Sequence, residues 1–322
     1  MTTAALAIAG LLSSALAHPE LLSRSEIQRR SAISKRCEAS AANFNRRRMA
    51  KRWAGAGNTT YQIQTEAPYY NTIQNDTCVL TPTVTGGPYI WPRSQTLRQD
   101  MSENQPGVPL WMDIGVLDVN TCEPLPNVLV NLWHCNATGS YSSFTGLSPN
   151  TPFEELLEQL GVDIEDLMNG NVTLATDNTT FLRGQWPTNA EGITEIKTTF
   201  PGFYVERAIH IHAQVYTDWT LHDNGTVSSG NVVSTGQLFF EEALSEQIMA
   251  LEPYSLHTQI ERTTNDVDDI FAASSDGWNP AFNIVPADGI NVANGMIGYI
   301  TLGVDPTSDG SSGGQMGPPP SG

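Results

Sequence analysis

Two histidines one residue apart, His210 and His212, stand in the run AIHIHAQVYT, close to Tyr204, Tyr216 and Arg207, in a chain with only 16 Lys and Arg against 34 Asp and Glu. Read with a period of two, Ala208 to Thr217 sends Ile209, Ile211, Ala213 and Val215 to one face and His210, His212, Gln214 and Tyr216 to the other. Two histidines on one strand face are as readily polar surface as chemistry. A metal would change that balance, because imidazoles about 6.5 to 7 Å apart along a strand can take adjacent positions around one ion.

The remaining donors must decide. A cupin-type site would want a carboxylate a few residues after the pair, and Ala213 to Thr217 supplies none. A copper-zinc dismutase would want more histidines than His18, His134, His222 and His257 offer in the needed pattern. Cleavage after Ala17 would place His18 at the N-terminus, where an amino group and imidazole can hold copper, yet the dibasic segment that follows is unlike the enzymes that do this. Tyrosine supplies what those searches lack. Tyr204 lies six residues before His210, after the turn Pro201-Gly202, and Tyr141 closes WHCNATGSY after another strand and a glycine turn. A deprotonated phenol is a hard anionic donor, and two phenolates with two neutral imidazoles leave trivalent iron with a single net positive charge. With a free pKa of about 10, a phenol ionises at a cost unless such a cation is present. Each tyrosine alone is an ordinary packing residue, so the case rests on all four donors together.

The elements that must hold these residues read as strands: 111–119, 128–135, 193–200, 208–217, 237–240 and 296–303 are short β-rich runs divided by Gly, Pro, Asn and Asp. Their spacing predicts an all-β fold, an antiparallel β-sandwich core with few short helices and a helical, basic N-terminal segment. The helical stretches of the body are 151–170, which Gly161 divides, and 243–251. The expected organisation is a signal peptide at 1–17, a basic N-terminal or pro-segment at 18–57, the sandwich domain at 58–304 and a low-complexity, disordered tail at 305–322.

Ten of the sixteen Lys and Arg fall between residues 18 and 52, with Lys35-Arg36 and Lys51-Arg52 as candidate processing sites. The rest of the chain carries six basic and 31 acidic residues, a balance that should repel nucleic acid and anionic membrane. The apolar start ending in Ala15-Leu16-Ala17 and six Asn-x-Ser/Thr triplets (Asn58, Asn75, Asn136, Asn171, Asn178, Asn224) lead to the expectation of a secreted, glycosylated protein. Four cysteines, Cys37, Cys78, Cys122 and Cys135, allow three pairings. A bridge between Cys122 and Cys135 is disfavoured if Val128 to Trp133 is one strand, since it would hold the sulfurs apart.

At these residues the sequence resembles the intradiol ring-cleavage dioxygenases, in particular their compact secreted members known mainly from fungi. The resemblance runs over roughly residues 78 to 241, through GGPYIWPR, DVNTCEPLPNVLVNLWHCNATGSY, FLRGQWPTNAEGITEIKTTFPGFYVERAIHIHAQVY and GQLFFEE. It implies one iron(III) per chain held by Tyr141, Tyr204, His210 and His212, with Arg207 and Gln237 over the substrate. Tyr89, Trp91 and Trp186 would line the pocket or fill the core. The implied reaction inserts both atoms of O₂ between the hydroxyl-bearing carbons of a catechol-type diol, giving a muconate-type diacid. Tyr204 would leave the metal and take a proton from the diol, while Arg207 would stabilise charge on the ring. The segment from Tyr204 to His210 is shorter than in the bacterial catechol and protocatechuate enzymes, and their N-terminal dimerisation helices lack a clear counterpart, so neither the preferred diol nor the oligomeric state carries over. Competing expectations remain: for the protein, a non-catalytic secreted β-sandwich that binds polyphenol, metal or glycan; for Arg207, a salt bridge with one of the 31 body acids, such as the neighbouring Glu206; for Arg183 and His134, structural roles.

Overall fold

The computed structural model of the protein describes residues 24–53, 79–80, 89, 97–168, 171–223, 226–275 and 279–308. The signal-peptide expectation, Cys78, Trp91 and Asn224 lie outside these residues. Chain order gives α1 (Arg24–Trp53), β1 (Val79–Leu80), β2 (Pro109–Asp118), β3 (Leu129–Trp133), α2 (Phe153–Leu160), α3 (Ile164–Met168), β4 (Arg183–Pro187), β5 (Ile193–Thr199) and β6 (His210–Tyr216). Then follow β7 (Trp219–Leu221), β8 (Val227–Ser229), β9 (Val232–Phe239), α4 (Glu242–Met249), α5 (Asp269–Ser275), β10 (Asn283–Pro286) and β11 (Met296–Val304).

One sheet runs β1-β11-β2-β5, with β10 also on β11; the second runs β4-β3-β6-β9; β7 and β8 form a separate ribbon. The expected sandwich is present, with one correction to its pairing. β11 runs parallel to both β1 and β2, whereas the remaining ladders are antiparallel. With neighbours on both sides, β11 is buried along its whole length, as its unbroken run MIGYITLGV requires.

Alternate residues of the two sheets face each other and make the main core. Leu110, Met112, Ile114 and Val116 of β2 meet Val130 and Leu132 of β3 and Ile211, Ala213 and Val215 of β6. The inward face predicted for β6 is therefore the inward face found. Its other face differs from expectation, because His210, His212 and Gln214 are buried as well. Beside His212 lies a second, smaller core of Tyr89, Trp133, Cys135, Tyr141, Phe144, Leu147, Leu157, Leu167 and Leu174, drawn mostly from the β3–β4 connection and its helices. Gly161 divides that connection as expected, ending α2 with φ 64°, a conformation glycine adopts without steric cost.

Three further outcomes concern the chain's ends and cysteines. Cys37 of α1 is bonded to Cys122, 85 residues away, and Cys135 is a buried free thiol, so the disfavoured Cys122–Cys135 bridge is absent. Ile33 and Cys37 pack on Leu117 and Ile193, and Arg36 donates to the Val119 carbonyl, which docks the basic helix on the acidic body. The stretch 305–308, expected to be disordered, instead forms a turn: Asp305 accepts from Asn120 and Thr307, and the Ser308 carbonyl accepts from Asn231.

Candidate metal centre

Sheet register begins the site. His212 lies opposite Trp133 on one side and Gln237 on the other, and His210 lies opposite Phe239. Trp133 stacks on the His212 ring at 4.8 Å with an interplanar angle of 1°, which fixes that imidazole. The Nδ1–H of His210 donates to the Ala208 carbonyl at 2.7 Å, leaving the Nε2 lone pair free, the tautomer a metal ligand needs.

Two loops bring the tyrosines. Gly202 donates its N–H to the Asn136 carbonyl at 3.1 Å, and a Cβ on it would collide with the backbone of Asn136 and Ala137. Gly139, with φ 87°, is pressed in the same way against the Phe203 carbonyl. The loop leading to Tyr141 and the loop leading to Tyr204 are thus interlocked backbone to backbone. Glu206, at φ 65°, then turns the chain sharply enough to bring Arg207 back toward Tyr204.

The donors converge. His210 Nε2 lies 3.1 Å from His212 Nε2 and 3.3 Å from Tyr204 Oη. The Tyr141 ring stands 5.7 Å from that of Tyr204 and 6.0 Å from that of His212, and its buried hydroxyl has no hydrogen-bond partner at normal distance among the described residues. Ligands at about 2.1 Å from one ion and at right angles to each other are separated by about 3.0 Å, so the spacing of these atoms fits a shared metal. No three His, Cys, Asp or Glu gather in a metal-binding group among the described residues, so the set needs its phenol oxygens. Burial drives both imidazoles well below the usual histidine range, aided for His210 by Arg207 and for His212 by His210, and holds them neutral. Burial likewise pushes the Tyr204 phenol up to about 12, against the pull of Arg207, and drives Tyr141 well above its ordinary value. Neither phenol ionises readily here unless a further cation is supplied.

Around the donors the sequence candidates separate. Arg207 Nη2 donates to Gln237 Oε1 at 2.5 Å, and its Nη1 lies 3.5 Å from Tyr204 Oη. Both residues therefore belong to the site. The salt bridge expected of Arg207 with a body acid is present, made with Asp268 at 2.9 Å rather than with the neighbouring Glu206, and it coexists with the contacts to Gln237 and Tyr204. Tyr89 stacks on Tyr141 at 4.5 Å and meets Tyr204 edge-on, so it lines the tyrosine cluster. Of the two places open to Trp186, pocket or core, it takes the core, because its place on β4 opposite Val130 is three residues along the sheet from the Trp133 level. Arg183 occupies the level that Trp186 does not. It is buried and donates to the Ser142 hydroxyl and to the carbonyls of Ser142 and Tyr89, bracing both tyrosine segments. His134 is a core residue held between the Cys135 carbonyl and Thr198. Asp268 was missed by the sequence reading.

A family model described as Dioxygenase matches residues 86–222. Among solved structures, the chain is similar to an intradiol ring-cleavage dioxygenase from Tetranychus urticae, with 27% identity and a TM-score of 0.58, over 73% of this chain and 98% of that one. A second structure, described as a dioxygenase, is 26% identical with a TM-score of 0.54 over the same shares. Among curated proteins, none matches.

Proposed function

We propose that this chain is an intradiol ring-cleavage dioxygenase, an iron(III) enzyme that opens catechol-type diols between their hydroxyl-bearing carbons, acts outside the cell and yields muconate-type diacids. The observation that carries the metal assignment is the approach of His212 Nε2 and Tyr204 Oη to His210 Nε2, at 3.1 and 3.3 Å, with the buried Tyr141 hydroxyl close by. Iron(III) held by these four residues supplies a Lewis acid that draws electron density from a bound diol and so opens its ring to O₂.

The chain's own residues divide the remaining work. Tyr141 is 3% exposed, whereas Tyr204 is only partly buried, so Tyr204 is the phenol with room to swing aside. Its oxygen would then take a proton from the incoming diol, with Arg207 close enough to compensate its charge until it does. The guanidinium of Arg207 faces the centre as a fixed positive charge that stabilises anionic density on the ring, an effect on the order of 10²-fold in rate. Tyr89 and Tyr141 offer the aromatic wall. The Cys37–Cys122 bond supports the extracellular assignment, because such bonds persist in oxidising compartments.

Oxygen uptake with catechol and hydroxyquinol, with the product weighed after reaction under ¹⁸O₂, tests the reaction. Ring cleavage of this class consumes one O₂ per diol and places both labelled atoms in a ring-opened diacid. Simple oxidation to a quinone, with no label retained, would refute it.

A further inference from the structure

We propose that Asp268 is the positioning residue for Arg207, so that the segment 265–275, beyond the stretch matched by the family model, completes the active site. The inference rests on the catalytic role given to Arg207 above. It starts from one buried carboxylate with three tasks. The Asp268 side chain is 1% exposed; its Oδ2 accepts from Arg207 Nε at 2.9 Å and from the Ala208 N–H at 2.7 Å, while its Oδ1 accepts from the Phe271 N–H at 2.8 Å. The last bond, with the Asp268 carbonyl accepting from Ala272, makes it the N-cap of α5.

The geometry leaves Arg207 little freedom. Asp268 holds the Nε edge of the guanidinium and Gln237 holds Nη2, so the planar group is fixed with Nη1 toward Tyr204. Arginine otherwise has many rotamers, and an electrostatic group aids catalysis only when it is already aimed. Asp268 is in turn anchored to β9 and α4. Phe271 meets Phe239 edge-on at 5.1 Å, Ile270 packs with Ala208 and Phe239, and Asn265 bonds to the Phe240 carbonyl and to Glu242. The preceding Arg262 pairs with Glu242 as well. The chain thus reaches back after β9 to deliver one carboxylate behind Arg207.

Asp268→Asn and Asp268→Ser test this, since Asn and Ser both cap helices well but neither offers a carboxylate to Arg207. Both variants are expected to keep iron, colour and anaerobic catechol affinity, while kcat falls roughly 10- to 100-fold with KM changed less than about 3-fold. In an Arg207→Ala background, Asp268→Asn should change kcat by less than about 3-fold, because the residue it positions is gone. A readout independent of turnover is phenylglyoxal labelling of Arg207, followed by mass spectrometry in metal-free and iron-loaded protein. Release from Asp268 should raise its rate about 10-fold over a parent whose Arg207 is pinned by two partners. Unchanged labelling, a kcat near that of the parent, full additivity with Arg207→Ala, or loss of iron or of the folded state in both variants would each overturn the proposal. If the parent itself turned over no diol, the catalytic reading would fail, while the labelling rates would still decide the pairing.

Discussion

The two phenols and two imidazoles show why residue type alone was informative here. Each imidazole is buried and neutral, and each phenol is buried with its ionisation opposed, so four groups that are costly to bury are gathered at one point. A trivalent cation repays that cost for all four. The histidines and Tyr204 were legible because they lie within one short segment. Asp268 was not: it is 61 residues beyond Arg207, among 31 body acids, and nothing in TNDVDDIF separates it from Asp266 or Asp269. At this scale Tyr204→Phe is expected to retain iron but bind it through one phenolate fewer, and to slow catechol chelation by removing the base. Tyr216→Phe lies on the same face, but its hydroxyl donates to Gln214 at 2.6 Å, away from the donors. It should leave chelation unchanged, as stopped-flow mixing with catechol can show; equal effects of the two substitutions would count against the assignment of Tyr204.

Elements carry a different lesson. The strand with strict alternation was read close to its true limits: β6, expected at 208–217, is found at His210–Tyr216. Strands β1, β4, β7, β8 and β10 were not anticipated. β4 reads RGQWP, with glycine at its second position and a closing proline, and owes its strand conformation to pairing with β3. The smaller core beside His212 was equally hidden, because its residues are scattered through loops without a period. Those loops are where position is set. Gly202→Ala would force the Tyr204 loop off the backbone of Asn136 and Ala137, a misfit of about 1 to 3 kcal/mol by analogy with overpacked cores. The expected outcome is lower thermal stability together with substoichiometric iron, measurable by calorimetry and metal analysis on one sample. Full iron loading at unchanged stability would mean that the two loops are not coupled as described.

For the molecule as a whole, charge and cysteines were visible in the sequence but their spatial use was not. The basic helix and the acidic body were separable by composition, yet only the fold shows that Cys37 reaches Cys122. Cleavage at Lys51-Arg52 would therefore leave the Cys37 segment attached to the body through that bond. The four donors that the sandwich and its loops gather lead to a single claim, that one iron(III) would sit between Tyr141, Tyr204, His210 and His212. The visible spectrum of purified, metal-analysed protein tests it most directly, since phenolate bound to iron(III) absorbs visible light and imidazole or carboxylate ligation does not. The account predicts one iron per chain, a reddish resting protein and a shift of its band to longer wavelength when catechol is added without oxygen. A fully iron-loaded protein without colour, or zinc or copper in place of iron, would contradict it.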